Sequence, residues 1–408
     1  MYRKKILFSL LATLAILTTW ANHPWLTRVY DYKPAPGQFI NTTPEYHAGE
    51  PFDSVLARCR QRLCGRVDTT VEEFGGQTVT YVDTVWSGGL VSLGGFGGYV
   101  IVGFDHPVVN MHTYDFNIYG NAFVSNQQTG GGSCEPGIVM VGVDRDGDGV
   151  PGPGDDWYEL AGSEYNNPST QHGYTITYYQ PDEDKERTPD HNYSYLNDTT
   201  YVRWTSNDVN PDSTSGYMSR NTFHAQPYWP QWLTDSASLT FTGTKLAVDA
   251  VDLSGRGTNW FQPFLAWGYV DNLPDNPAHQ CDSVTGKYNP GFKIDWAVDA
   301  QGRHVDLPWV DFIMVYNAKN QYCGWLGETS TEVGEGIDYH PDAALPALPG
   351  DVNGDGRVTI ADANTVIGII LNGDDSTDAD TLARADVNGD GRVTIADANA
   401  VISSILNQ

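Results

Sequence analysis

The sequence predicts a mainly β protein, with a β-sandwich or jelly-roll-like body and a small all-α module at the C-terminus. Its length of 408 residues suits one large domain with a small appendage. The 23 Tyr, 12 Trp and 43 Gly favour pleated strands joined by many turns. The end of the chain differs, because it is poor in aromatic residues, rich in Asp and contains one stretch of sequence twice.

Strands are predicted wherever apolar residues alternate with polar ones, or form short runs between turn residues. Residues 78–85 (TVTYVDTV) alternate, whereas residues 98–104 (GYVIVGF) and Gly137–Val143 (GIVMVGV) form buried runs. Further strands are predicted at residues 174–179, 238–242 and 309–316, and residues 53–63 are compatible with one short helix. Because few helices separate these strands, a sandwich or jelly roll is favoured over a βαβ fold.

The N-terminus is typical of an export signal. Basic residues precede an apolar stretch at 6–17, which is too short to span a bilayer, and small residues occur at Thr19 and Ala21. We therefore predict a signal peptide over residues 1–21, cleaved after Ala21, and a protein that is secreted or held at the cell surface. No later segment is apolar enough to predict a membrane span.

The charge of the chain limits its partners. There are 51 acidic and 23 basic residues, which gives a net charge of −28. Such a surface repels phosphate backbones, so nucleic-acid binding is not expected. An acidic surface does suit a protein that meets divalent cations outside the cell.

Five cysteines follow the predicted cleavage position, namely Cys59, Cys64, Cys134, Cys281 and Cys323. In an oxidising compartment some of them should pair, and the odd number leaves at least one thiol free. Cys59 and Cys64 are close enough in sequence to close a small local loop. The other pairings stay open.

The duplicated stretch is DVNGDGRVTIADAN, at residues 351–364 and again at 386–399. Alternate oxygen-bearing residues in a tight loop converge on one point, and calcium takes six to eight such oxygen ligands. The side chain at loop position 7 is free to vary, because that residue contributes its backbone carbonyl. Positions 1, 3, 5, 7, 9 and 12 predict two calcium sites, at Asp351, Asn353, Asp355, Arg357, Thr359 and Asp362, and at Asp386, Asn388, Asp390, Arg392, Thr394 and Asp397.

Each loop leads into a predicted helix without an entering helix before it. Apolar stripes are expected at Val366, Ile367 and Ile370 in the first helix, and at Val401, Ile402 and Ile405 in the second. A short helix over residues 377–385 joins the two halves.

These two half-EF-hands resemble a type I dockerin. We therefore predict a body over residues 22–338, a Pro/Ala-rich linker over 339–349 and a dockerin over 350–408. The resemblance implies a module that calcium folds and that binds a cohesin-like module on another protein. It also implies that loop positions 10 and 11, here Ile360, Ala361, Ile395 and Ala396, face that partner. Family members often carry polar residues at these positions, so the identity of the partner does not transfer.

A third acidic loop lies within the body. In VDRDGDGVPGPGDD the same spacing places Asp144, Asp146, Asp148, Val150 and Asp155 at positions 1, 3, 5, 7 and 12. A strand precedes this loop, and prolines stiffen it. Two interpretations stay open, a third calcium site and a plain acidic β-turn.

The body resembles a family of secreted cell-surface proteins of Gram-negative gut anaerobes. The resemblance rests on GFDHPVVN, YDFNIYGNAF, DDWYELAGSEY, FKIDWAVDAQG and GWLGETSTEVG. Some members occur beside uptake systems for glycans or cobalamin, but the family implies no activity and no site residues.

The body has no common enzyme signature, because H-E-x-x-H, G-x-S-x-G and a phosphate-binding GK[ST] are absent from the sequence. Glu328, Glu332 and Glu335 are interpreted as a solvated loop. Aromatic rings on loops can stack on a glycan or another small ligand, and Trp229, Trp232, Trp260 and Trp325 are the candidates.

The preferred hypothesis is therefore an exported ligand-binding or scaffold protein, tethered through its dockerin. The alternative is a secreted glycoside hydrolase of a polysaccharide-degrading complex, which a carboxylate pair in an aromatic-lined cleft would favour. A third hypothesis, a purely structural surface protein, predicts no pocket.

Overall fold

A computed structural model describes residues 22–64, 66–74, 77–85, 89–124, 130–275, 288–346, 348, 350–354, 357–373 and 377–406. The predicted signal peptide lies outside these residues. Within them, no helix combines the length and the apolar character that crossing a membrane requires.

The regular elements are numbered in chain order. The strands are β1 (Arg28–Lys33), β2 (Arg66–Phe74), β3 (Gln77–Val85), β4 (Val91–Ser92), β5 (Tyr99–Gly103), β6 (Val108–Val109), β7 (Phe116–Ile118), β8 (Phe123–Val124), β9 (Gly131–Ser133), β10 (Gly137–Val143), β11 (Asp156–Leu160), β12 (Gln171–Tyr179), β13 (Leu196–Ser206), β14 (Ser215–Asn221), β15 (Ser238–Lys245), β16 (Val251–Asp252), β17 (Trp260–Pro263), β18 (Ala297–Val298), β19 (Trp309–Val310), β20 (Phe312–Asn317), β21 (Glu332–Val333) and β22 (Gly336–Asp338). The helices are α1 (Phe52–Leu63), α2 (Ile360–Asn372), α3 (Ala379–Ala385) and α4 (Ile395–Leu406).

The chain divides into two compact units. The first, here called the β-body, comprises Met1–Gly142 and Trp157–Asp342, and the second, the C-terminal unit, comprises Val143–Asp156 and Ala343–Gln408. The third acidic loop thus groups with the C-terminal unit. The domain bounds predicted from the sequence stay a prediction.

The prediction of a mainly β fold with a small helical C-terminal region is confirmed. The largest sheet has the strand order β1-β5-β20-β10-β11-β18, and a four-stranded sheet has the order β14-β13-β12-β15. The strand predicted at residues 309–316 is divided, because β19 pairs with β6 whereas β20 pairs with β5 and β10.

Alternation along β12 explains how the four-stranded sheet acquires one buried face. Tyr174, Ile176 and Tyr178 are buried in a cluster that also contains Phe96. On the opposite face, threonines of β12 and β15 meet as cross-strand pairs with hydroxyl separations of 2.9 and 2.8 Å. A one-residue slip would bury those hydroxyls, so this pattern fixes the register.

The C-terminal unit has a small aliphatic core. It is formed by Val352, Ala363, Val366, Ile369, Ala385, Ala398 and Val401. The predicted helix stripes were partly wrong, because Ile369 is buried whereas Ile370 and Ile402 are 39% and 36% exposed. The packing of α2 on α4 buries Ala363 and Ala398, which lie one helical turn nearer the loops than Val366 and Val401.

The cysteine prediction also needs a correction. Cys59, Cys64, Cys134 and Cys323 are free thiols, so Cys59 and Cys64 do not close a local loop. Cys59 is buried on α1 and packs as a small apolar residue. Cys281 lies outside the described residues.

Candidate calcium loops and carboxyl-lined cavity

The second repeated loop closes on itself through its first and last carboxylates. Asp386 Oδ2 accepts a hydrogen bond of 2.7 Å from the backbone N–H of Gly391, where φ is +85°. The fully buried Asp397 accepts from the backbone N–H groups of Asn388, at 3.1 Å, and Thr394, at 2.8 Å. Positions 1 and 12 are therefore turned into the loop, as a calcium loop requires.

The first repeated loop also turns its first and last carboxylates inward. Asp351 is 4% exposed and accepts from the backbone N–H of Gly354 at 2.8 Å. Asp362 is fully buried and accepts from the backbone N–H of Thr359 at 2.8 Å. Asp355, predicted at position 5, lies outside the described residues.

The residues present in both loops fit calcium. The hydrogen-bond donors to Asp362 and Asp397 include backbone N–H groups and threonine hydroxyls. Neutral donors of this kind stabilise a buried carboxylate without cancelling its charge. A divalent cation would supply the missing charge, held by side-chain oxygens at positions 1, 3, 5 and 12 and by the backbone carbonyls of Arg357 and Arg392.

The two threonines at position 9 have a second role as helix caps. The hydroxyl of Thr359 accepts from the backbone N–H of Ala361 at 3.2 Å and donates to Asp362 at 3.2 Å. Thr394 makes the same contacts with Ala396 and Asp397. Each carboxylate at position 12 is thereby tied to the first turn of its helix, so loop geometry and helix start are coupled.

The predicted partner-binding residues lie on the surface at the start of each helix. Ile360 and Ile395 are 63% and 62% exposed, which is unusual for isoleucine. Ala361 and Ala396 are exposed beside them. The duplicated sequence thus presents two equivalent small apolar patches.

The third acidic loop, residues 144–155, connects β10 and β11, which are neighbours in the large sheet. One oxygen each from Asp144, Asp146 and Asp148 lies within 4.8 Å of the others. Asp155 closes the loop by accepting from the backbone N–H of Gly152 at 2.7 Å. Predicted positions 1, 3 and 5 therefore converge, and the calcium site and the acidic turn both stay predictions.

Val150, predicted at position 7 of this loop, has an exposed side chain. Its backbone N–H donates to Asp148 at 2.8 Å. Asp144 is buried and forms an ion pair with the guanidinium of Arg357. The side chain at position 7 of the first repeated loop thus contacts position 1 of the third loop inside the C-terminal unit.

This ion pair makes a prediction with a matched control. Arg357→Ala leaves the buried Asp144 carboxylate without this cation, and we expect the C-terminal unit to lose about 1 to 3 kcal/mol of stability. Arg392→Ala changes the same position of the second loop, where the arginine is exposed, and should cost less than about 0.5 kcal/mol. Urea unfolding followed by the helical circular dichroism signal, in saturating calcium, measures both. Equal losses of stability in the two variants would contradict a stabilising ion pair between Arg357 and Asp144.

The four tryptophans proposed as a ligand platform do not form one surface. Trp229 is 2% exposed inside the core cluster, so its prediction as a platform was wrong. Trp232 packs its ring 5.8 Å from that of Tyr32, and Trp260 is half-buried. Trp325 is 37% exposed and lines a cavity.

That cavity is also lined by carboxylates, which the sequence analysis missed. Its volume is about 300 Å³, and Phe39, Trp325, Glu135, Glu328 and Glu332 are among its lining residues. Glu328, Glu332 and Glu335 are only 8%, 8% and 6% exposed, so their interpretation as a solvated loop was wrong. The alternation of Glu328, Ser330 and Glu332 could have revealed this, because period two places all three on one side of an extended segment.

Three carboxyl groups converge at this cavity, and two of them, Glu135 and Glu332, line it. One oxygen each from Glu135, Asp271 and Glu332 lies within 4.8 Å of the others. Burial raises the pKa of Glu135 to about 7 and raises the pKa values of Asp271 and Glu332 well above their usual range. Each group also accepts a hydrogen bond from a neighbouring segment, for example Asp271 from the backbone N–H of Glu332 at 2.9 Å.

Glu328 ties another segment to the same cavity. It accepts hydrogen bonds from the backbone N–H of Gln38 at 2.6 Å and from its side-chain amide at 3.0 Å. Burial raises the pKa of Glu328 to about 7. The cavity therefore combines an aromatic rim with carboxyl groups that are partly protonated near neutral pH.

The geometry of the C-terminal unit defines a class of module with two closed acidic loops, each followed by a helix. Residues 349–406 match the family model described as Dockerin type I domain. Dockerins bind calcium and dock on cohesins in extracellular assemblies, so this end of the chain is a cohesin-binding module. No curated protein matches the chain, and the resemblance of the body to surface proteins of gut anaerobes has no homologue to support it.

Proposed function

We propose that the chain is an exported ligand-binding protein that its dockerin tethers, in the presence of calcium, to a cohesin module of an extracellular complex. The observation that carries the proposal is the pair of closed loops within the dockerin match at residues 349–406. Export rests on the predicted signal peptide. Ligand capture by the body rests on its cavities, since a purely structural protein would not need them.

The duplicated sequence suits docking in two orientations. Ile360 and Ile395 occupy the same position in identical stretches and are almost equally exposed. A cohesin that anchors on one of them can anchor on the other after a half-turn of the module. Calcium acts on docking indirectly, because it holds the loops that place the first turns of α2 and α4.

Binding of purified type I cohesin modules, measured as a panel by surface plasmon resonance, tests the proposal. In calcium we expect at least one cohesin to bind, and excess EGTA should abolish that binding. Ile360→Asp or Ile395→Asp alone should cost little, because the other orientation remains. The double variant should weaken binding at least about 30-fold, since losing a buried apolar anchor costs roughly 2 kcal/mol or more.

A matched control is Leu371→Asp with Leu406→Asp, which places two charges on exposed leucines, 78% and 81% exposed, at the far ends of the same helices. This pair should bind like the unmodified chain. Binding that persists in EGTA, or that the control pair abolishes as fully as the isoleucine pair, would contradict the proposal.

A glycoside hydrolase is the second candidate function, and the carboxyl-lined cavity favours it. Its aromatic rim and raised carboxyl pKa values suit a general acid. Release of reducing ends from a polysaccharide panel, abolished by Glu328→Gln, would establish the hydrolase and overturn the non-enzymatic assignment.

A further inference from the structure

A second cleft of the described β-body shares no lining residue with the carboxyl-lined cavity. Its volume is about 620 Å³, which is within the roughly 300 to 1,000 Å³ typical of small-molecule sites. Its walls come from β10, β11, β12, β15 and β20 and from the turn at residues 299–302. Because most of the lining belongs to sheet strands, the cleft is preformed and rigid.

The floor of the cleft places an aromatic ring beside a carboxyl group. Trp157 and Glu159 are two residues apart on β11, so both side chains point to the same face. Tyr165 and Tyr316 add two further rings, and Asn166 and Gln301 add neutral amides. Such a lining pairs flat apolar faces with groups that both donate and accept hydrogen bonds.

Glu159 belongs to a chain of hydrogen bonds that fixes the orientation of its carboxyl group. Its Oε2 is 2.6 Å from the hydroxyl of Thr244, which is 3.1 Å from Nδ1 of His172. Nε2 of the same imidazole is 3.1 Å from the backbone oxygen of Tyr165, so this nitrogen must donate. Oε2 of Glu159 is therefore engaged with Thr244, and Oε1 is the oxygen that can accept a hydrogen bond from a ligand hydroxyl.

We propose that this cleft binds a neutral, polyhydroxylated ligand, a short saccharide, with a sugar face on Trp157 and its hydroxyls on Glu159, Asn166 and Gln301. The inference rests on the proposed ligand-capturing function and names its site and ligand class. A hydroxyl both donates and accepts, so it can donate to Glu159 and accept from the side-chain amides of Asn166 and Gln301. The carboxyl groups of Glu159 and Asp299 disfavour an anion. An organic cation is disfavoured because Asp299 is already paired with Arg303, at 2.6 Å.

Isothermal titration calorimetry on the full chain in calcium tests the proposal. The probes are neutral gluco-, manno-, galacto- and xylo-oligosaccharides, with choline as the cation and oligogalacturonate as the anion. We expect at least one neutral oligosaccharide to bind and Trp157→Ala to weaken it at least about 10-fold, the loss of one stacked ring. In the unmodified chain the ring centroids of Trp157 and Phe312 are 6.2 Å apart. Trp157→Phe retains an aromatic ring at this position and should bind the oligosaccharide with intermediate affinity. An intermediate affinity would show that the loss in Trp157→Ala does not come from misfolding.

Two variants of Glu159 separate a saccharide from a cation. Glu159→Gln keeps a donor and an acceptor but removes the charge, so saccharide binding should fall by less than about 5-fold, whereas Glu159→Leu should cost at least about 10-fold. If the ligand is a cation, Glu159→Gln abolishes its binding and the proposal fails. Trp325→Ala, in the other cavity, is the matched control and should leave binding unchanged.

Three results would overturn the inference: binding of choline or oligogalacturonate only, saccharide binding that Trp157→Ala leaves intact, and no binding by any probe. Cohesin binding by the same preparation is measured in parallel. If one of these three results is obtained and the preparation still binds cohesin, the choice of site or ligand has failed. If the preparation does not bind cohesin, the proposed tethering has failed.

Discussion

Asp362→Asn and Asp397→Asn, made together, are expected to unfold the helices of the C-terminal unit in buffer where the unmodified unit is folded. Each carboxylate ties its loop to the first turn of the following helix, and each is fully buried. Asparagine keeps the size but removes the charge that a divalent cation requires. The helices should then be lost together, because α2 and α4 share one small core.

The size of this effect follows from that core. It contains only Val, Ile and Ala among its fully packed side chains, so apolar burial alone supports a marginal fold. Calcium that binds only the folded module adds about 4 kcal/mol per site at a thousand times its dissociation constant. The free energy lost with both calcium sites should therefore be larger than the free energy of unfolding that the core alone provides.

Circular dichroism at 222 nm measures the loss of helix. Asp378→Asn is the matched control, because this exposed aspartate caps α3 and asparagine caps equally well. Every Trp lies outside residues 343–408, so tryptophan fluorescence reports the body independently and should not change. A double variant with full helical signal would show that the loops do not depend on calcium.

Lowering the pH from 8 to 5 is expected to stabilise the body strongly. Burial raises the pKa values of Glu135, Glu159, Glu328 and Glu335 to about 7. A raised carboxyl pKa means that the folded state holds protons that the unfolded state releases. The stabilisation is therefore complete below the unfolded pKa, near 4.5, and is lost as the pH rises through about 7.

For Glu328, which is almost completely buried, the rise in pKa from 4.5 to about 7 corresponds to roughly 3 kcal/mol. Several such groups make the body an exception to the usual acid sensitivity of proteins. Urea unfolding followed by tryptophan fluorescence, in excess calcium, should give a higher midpoint at pH 5 than at pH 8.

Glu335→Gln should flatten this pH dependence, because burial alone raises the pKa of Glu335. Asp53→Asn, on the exposed side of α1, is the control and should leave it unchanged. The prediction would be wrong if the urea midpoint at pH 8 were equal to or higher than the midpoint at pH 5. The buried carboxyl groups would then not be protonated in the folded body at pH 5 as their raised pKa values require.

The local features of this protein were predictable from its sequence. Gly137–Val143 forms β10 with the predicted bounds, and residues 53–63 fall within α1. The duplicated loops could be aligned position by position because their ligand spacing is a property of the chain alone. Short-range periodicity and turn chemistry therefore account for these elements, but not for the division of residues 309–316 into β19 and β20 or for the buried face of α2.

The cavities could not be predicted from the sequence, because residues that are far apart in the chain form their linings. Glu135, Asp271 and Glu332 come from three distant parts of the chain, and only the sheet topology brings them together. Trp229 has the flanking prolines of a loop residue, yet the face of the four-stranded sheet buries it. The chain of hydrogen bonds around Glu159 likewise spans β11, β12 and β15, so the sequence alone could not indicate it.

Hydrogen exchange on the full chain, with peptides resolved by mass spectrometry, tests the central claim that calcium folds a docking module on an independently stable body. In calcium, amides of α2 and α4 should be protected, as should those of β10 and β20. In EGTA we expect the helices to exchange as an unfolded chain while the strands keep their protection. Helices that remain protected without calcium, or strands that lose protection with them, would contradict the account.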